Sequence, residues 1–152
     1  MYLYWEIFIR IAIAAGLGAL IGFERERSHK SAGLRTNALV ATGAALLTII
    51  SLSFVGPDTD PSRIISNIIV GIGFIGGGAI IREGGRVSGI TTAATLWVVA
   101  AIGIAVGMGF YREALFATGV VYFILTVLWV LEKKLAGKTP YENGNNGNNS
   151  YQ

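Results

Sequence analysis

The chain has 152 residues, 53% of them hydrophobic and 14% charged, with a mean hydropathy of +0.59 and a formal net charge of +3. That is too apolar for a soluble domain of this size and points to a polytopic membrane protein. Zero cysteines exclude disulfides, thiol redox chemistry and Cys-based metal sites; the small positive charge fits membrane orientation and anionic lipid, not nucleic acid.

Five apolar stretches follow one another at residues 5–23, 37–55, 64–81, 93–110 and 114–131, each 18 or 19 residues long. At 1.5 Å of rise per residue a helix of that length covers about 27 to 29 Å, close to the hydrocarbon thickness. Helices are the expected form, because lipid cannot satisfy exposed backbone groups and five spans are too few to close a barrel. The fold class is therefore all-α: a five-helix transmembrane domain over residues 1–135, followed by a short disordered Asn/Gly-rich tail over 136–152.

The first span carries Glu6 and Arg10 near its start. Arg10 can pair with Glu6 at i,i+4, snorkel outward, or join Arg63 and Asn67 of the third span in a polar pocket at the outer face. Ala12-Ile13-Ala14 looks like a small-residue cleavage site, but no basic segment precedes it and the apolar run continues through it, so the span is expected to stay in the mature protein. Gly18 and Gly22 form a GxxxG pair, as do Gly73 and Gly77, and Gly103 and Gly107, which suits close helix contact within the chain or between copies.

The third span holds Gly71, Gly73, Gly76, Gly77 and Gly78. In a soluble helix each glycine costs up to about 1 kcal/mol relative to Ala. Close packing or a broken helix lining a polar cavity would offset that. The literal G-x-G-x-x-G at Gly71, Gly73 and Gly76 lies inside a membrane span rather than after a strand, so it is no dinucleotide fingerprint.

Polar residues gather where the spans meet one side. Glu24 and Arg25 close the first span, Arg35 and Thr36 open the second, Arg82 ends the third, and Thr91 and Thr92 lead into the fourth, either being a plausible N-cap. They form a polar network or serve as ordinary anchors and caps; Glu24 and Arg25, nearest the apolar run, need partners most. Glu26, one position further into the loop, is expected to matter little. His29 is expected to be solvated and Trp97 to pack. The short Gly109-Phe110-Tyr111-Arg112-Glu113 link implies a tight hairpin between the last two spans.

Basic residues set the orientation. Arg25, Arg27, Lys30, Arg35, Arg82, Arg86, Lys133, Lys134 and Lys138, nine of the twelve Lys and Arg, fall on one side if the N-terminus lies outside and the C-terminus in the cytoplasm. The opposite loop, Gly56-Pro57-Asp58-Thr59-Asp60-Pro61, is acidic.

Four blocks in order, Gly18-Ala19-Leu20-Ile21-Gly22-Phe23-Glu24-Arg25-Glu26-Arg27, Ala32-Gly33-Leu34-Arg35-Thr36, Gly71-Ile72-Gly73-Phe74-Ile75-Gly76-Gly77-Gly78 and Gly89-Ile90-Thr91-Thr92-Ala93-Ala94-Thr95-Leu96-Trp97, closely resemble the MgtC/SapB family of bacterial inner-membrane proteins. Asp60-Pro61-Ser62-Arg63 also fits the family pattern. The resemblance covers roughly residues 5–131. It implies five spans with the N-terminus outside, in the bacterial inner (plasma) membrane, and a link to adaptation to low magnesium. Some members act on the F-type ATP synthase or on other transporters, and several carry a soluble C-terminal domain that this chain is expected to lack. Two readings remain open: a regulator or accessory subunit bound to a membrane partner or a second copy through its glycine faces, and a channel or transporter for Mg²⁺ or another small cation. Mg²⁺ wants hard oxygen ligands, and within the spans only Glu6, at the outer edge, supplies a carboxylate. No metal site or other cofactor is therefore specified. Without a nucleophile and base pair, an enzyme is not expected.

Overall fold

The computed structural model describes residues 4–54, 60–83 and 86–136. The loop residues 56–59, the tail beyond Ala136 and the Arg82 side chain lie outside the described residues. Helices α1 (Tyr4–Arg27), α2 (Leu34–Ser53) and α3 (Ser62–Gly78) are followed by a two-stranded antiparallel hairpin, β1 (Ile81–Glu83) and β2 (Arg86–Ser88). Then come α4 (Ile90–Met108) and α5 (Tyr111–Phe123), which continues through a π-helical segment (Ile124–Leu128) into α6 (Trp129–Ala136). This is an all-α polytopic membrane protein. Four helical stretches are long and apolar enough to cross a bilayer, and α3, with 17 residues, is the short one.

Sequence and structure differ at the third span. It ends at Gly78 rather than at residue 81, because the chain turns at Ala79 and enters the hairpin, in which Arg82 faces Val87 across the ladder. The glycine run does not break α3 internally; the helix is continuous until that turn. Two glycines are fixed by backbone geometry. Gly109, at φ +88°, ends α4 in the left-handed conformation and lets α5 start at Tyr111, giving the expected tight hairpin. Gly89, also at φ +88°, is the residue before α4, and a Cβ there would overlap the Ala79 carbonyl. Neither Thr91 nor Thr92 caps the helix; the N-cap is Gly89.

Helix α4 is the centre of the bundle and packs on α1, α2, α3 and α5. Ala41 of α2 is pinched from both sides: a Cβ on Gly18 of α1 would lie 2.8 Å from its Cβ, and one on Gly103 of α4 would overlap its carbonyl. Gly22 sits against the start of α2, where a Cβ on it would lie 2.6 Å from Leu34 Cα, and a Cβ on Gly107 would lie 2.7 Å from Thr48 Cβ. Two of the three GxxxG pairs, Gly18/Gly22 and Gly103/Gly107, are thus used for helix contact inside one chain, because only hydrogen side chains let these backbones approach. Around them Ala14, Ile21, Ala45, Val99, Ile102 and Val106 complete the core. By contrast, Gly71, Gly73, Gly77 and Gly78 face open space, and of the α3 glycines Gly76 alone touches a neighbour, Ala93 of α4.

At the other end of the bundle Arg10 is buried. Its Nη1 donates to the Gly107 carbonyl at 2.6 Å and its Nη2 to Glu6 Oε1 at 2.7 Å. The guanidinium thus satisfies a carbonyl in the last turn of α4, where a positive charge suits the helix dipole. Arg63 and Asn67 do not join it: both are exposed on α3, which packs on α2 and α4 rather than on α1. Asn67 instead lines an apolar groove of about 650 Å³ between α2 and α3.

Sidedness is testable in a chain without cysteine. A cysteine placed at Asp58 should react with an impermeant maleimide in intact cells, whereas one at Asn145 should not. Labelling at both would overturn the five-span arrangement.

Candidate functional site

At the end of the bundle that carries the β-hairpin, the last turns of α1 meet the start of α4. Consecutive residues of a helix point about 100° apart, so Glu24 and Arg25 diverge from the α1 terminus. Arg25 reaches α4, where its Nη2 donates to Thr92 Oγ1 at 2.6 Å. The Thr92 hydroxyl also shares a hydrogen bond of 2.9 Å with the Ser31 hydroxyl, from the α1–α2 loop. Glu24 turns the other way, and its Oε1 accepts from Ser28 Oγ at 2.8 Å. Both charged residues are nearly inaccessible, Glu24 at 7% and Arg25 at 4% exposure. Among the described residues, Glu24 Oε2 and Arg25 Nε have no hydrogen-bond partner, and the two side chains do not form an ion pair.

Burying a charge with incomplete pairing costs several kcal/mol. Groups retained under that cost mark candidate sites. Here they line a cavity of about 1030 Å³, at the upper end of the usual range for ligand pockets. Its polar wall includes Ser28, Lys30, Ser31 and Thr91; its apolar wall comes from the end of α3, from Leu96, and from the π-helical segment and Trp129. The α1–α2 loop that forms one side is tightly wound, with His29 at φ +52° and Ala32 at φ +57°. Buried Asn37 holds it by donating to the Ala32 and Gly33 carbonyls.

Of the residues expected to form the network, the structure brings together Glu24, Arg25 and Thr92 around one cavity. Thr36 and Thr91 line it while remaining exposed. Arg35 does not take part: it projects from the first turn of α2 and is exposed, because the helix starts at Leu34 and turns that position outward. Glu26 is not idle, for its Oε2 accepts the Leu34 N–H at 3.0 Å and so serves the uncapped start of α2. Sequence reasoning missed Ser28, Ser31 and the π-helical wall. Ser28 could have been found, as it lies one helical turn beyond Glu24. Nothing local signals Ser31, 61 residues from its partner, or the π-helical wall that follows Phe123. Such π turns are uncommon and often lie at functional positions; in this one the Thr126 hydroxyl is buried without a partner among the described residues.

A metal-ligand set is not evident. Among the described residues, no three His, Asp or Glu converge, and Glu24 is the one carboxylate on the cavity wall, whereas Mg²⁺ sites use carboxylates together with retained waters.

The model of the MgtC family matches residues 11–134. Protein MgtC of Salmonella typhimurium is 50% identical over 116 residues, which cover 76% of this chain and 49% of that protein. Protein MgtC of Brucella abortus is 50% identical over 111 residues, 73% of this chain and 45% of that one. The chain therefore spans about half the length of the curated relatives it matches. No solved structure matches it. With a family match running from the first span through the last, and helices apolar enough to cross the bilayer, this multi-pass membrane protein, of the kind found in the bacterial inner membrane, belongs to the MgtC family.

Proposed function

We propose that the chain is a regulator or accessory subunit of a membrane transport system or of ATP synthase, acting in adaptation to low magnesium, with the buried Glu24, Arg25 and Thr92 cluster as its functional site. One observation carries this over a conduit: buried charge among the described residues is confined to the two ends of the bundle, at Arg10 and at Glu24 and Arg25. Between them the core is small and apolar, with Ala14, Ala41, Ala45 and Val106 fully buried. Of the buried hydroxyls between them, Thr48, Thr95 and Thr118 donate to carbonyls of their own helices, Ala44, Thr91 and Ala114, and Thr126 stands apart in the π-helical segment. A cation that keeps several waters would meet no line of oxygens there. The reading includes no catalytic chemistry. A partner, whether a second copy or another membrane protein, would meet α3 or α5, whose flanks carry open glycines and exposed Phe74, Phe116 and Phe123.

Liposomes holding the purified protein and a Mg²⁺-sensitive dye should admit Mg²⁺ no faster than protein-free liposomes. Protein-dependent entry that Glu24→Gln abolishes would establish the conduit instead.

A further inference from the structure

We infer that the cavity at the hairpin end receives the phosphoethanolamine headgroup of a membrane phospholipid, with the ammonium at Glu24 and the phosphate at Arg25 and the start of α4; this rests on the reading of that cavity as the functional site. The carboxylate is the first reason. Glu24 is 7% exposed and lines the cavity, Ser28 occupies one oxygen, and Oε2 has no partner among the described residues. A buried carboxylate so placed is stabilised by a cationic hydrogen-bond donor.

The phosphate half of the site is built independently. Arg25, 4% exposed, lines the same cavity with its Nε unpartnered among the described residues. Helix α4 opens on the cavity at Gly89, Ile90, Thr91 and Thr92 with no side-chain cap, so first-turn N–H groups and the positive end of the helix dipole remain for an anion. Lys30 adds a further positive charge to the wall.

The remaining wall is what a lipid needs and a soluble metabolite does not. Ile75, Leu96, Leu125, Leu128 and Trp129 are apolar, and the cavity is bounded by the end of α3 on one side and by the π-helical segment and Trp129 on the other. Acyl chains can leave between them along helices whose outward faces are apolar, as at Phe74 and Phe123. Chemistry also selects among headgroups. Free phosphate or phosphatidic acid would leave Glu24 Oε2 without a donor and set a second negative charge near it. Choline has no N–H to give. Ethanolamine supplies both the positive charge and the donors.

The full chain, purified and stripped of lipid in detergent, should be titrated by native mass spectrometry with phosphatidylethanolamine and phosphatidylcholine of identical acyl chains, and with soluble O-phosphoethanolamine. Phosphatidylethanolamine should bind about tenfold or more tightly than phosphatidylcholine, the worth of charge-assisted hydrogen bonds. Glu24→Gln should bring that ratio close to unity without weakening phosphatidylcholine, and Leu128→Trp, which fills the apolar wall, should weaken both lipids. Equal binding of the two lipids by the unaltered chain overturns the inference, and needs no variant to fold. Soluble O-phosphoethanolamine binding as tightly as the lipid would overturn the lipid as source. Growth in low magnesium separates this from the regulatory reading: lipid parity with growth still dependent on Glu24 sinks the headgroup alone, whereas a clear lipid preference with growth indifferent to Glu24 sinks the regulatory role.

Discussion

Gly103→Leu should dismantle the helical core rather than weaken a contact between copies. A side chain there has nowhere to go, since even its Cβ would overlap the Ala41 carbonyl of α2, and α2 is itself held from behind by Gly18 of α1. Relief requires α2 and α4 to separate, which loosens the cluster of Ala41, Ala45, Val99 and Ile102 between them. Overpacking of a well-filled core typically costs about 1–3 kcal/mol and more when backbone must move, so a loss of about 3 kcal/mol or greater is expected. Thermal unfolding followed by circular dichroism in detergent, with the mass of the solubilised particle, checks this. The paired control is Gly73→Leu, which enters open space on α3 and should destabilise by no more than about 0.5 kcal/mol. A Gly103→Leu protein that unfolds at the unaltered temperature would refute the α2–α4 contact.

Removing the Arg25 guanidinium should be nearly as damaging, for an electrostatic reason. Arg25→Leu leaves Glu24 buried beside no compensating charge and deprives the Thr92 hydroxyl of its donor. Losing a buried hydrogen bond to a charged group and the positive charge nearest Glu24 costs about 1–3 kcal/mol. Arg25→Lys should recover only part of this, because an ammonium is a more strongly hydrated point charge without the planar fork. The double variant Glu24→Leu, Arg25→Leu should be more stable than Arg25→Leu alone, since no uncompensated charge is left. Additive losses in that cycle would show that the two residues are not coupled. Function is tested separately by Glu24→Gln, which keeps an acceptor for Ser28 while removing the charge: at equal membrane abundance it should fail to support growth in low magnesium. Arg35→Gln, an exposed change, should be neutral. If Glu24→Gln grows as well as the unaltered protein, the cluster is an anchor only.

Much of this architecture is legible without coordinates. Five apolar stretches of bilayer length, the absence of cysteine and the four motif blocks determine a five-helix membrane protein of the MgtC family, because lipid tolerates few ways of satisfying a backbone and those ways depend on composition along the chain. The sequence also singles out Glu24, Arg25 and Thr92, since charges and hydroxyls beside an apolar run are costly wherever the chain leads them. What it does not contain is neighbourhood. That Arg25 meets Thr92, 67 residues away, while Arg35 turns outward, depends on the angle at which α1 and α2 cross α4. Identical GxxxG spacings at 18/22, 73/77 and 103/107 prove to be two internal seams and one open face, because a glycine pattern permits close approach but does not say what approaches. The hairpin after Gly78, the π-helical wall at Ile124–Leu128 and the isolation of Asn67 from Arg10 follow likewise from which helices share a surface, a property of the packed bundle that no single stretch of chain encodes.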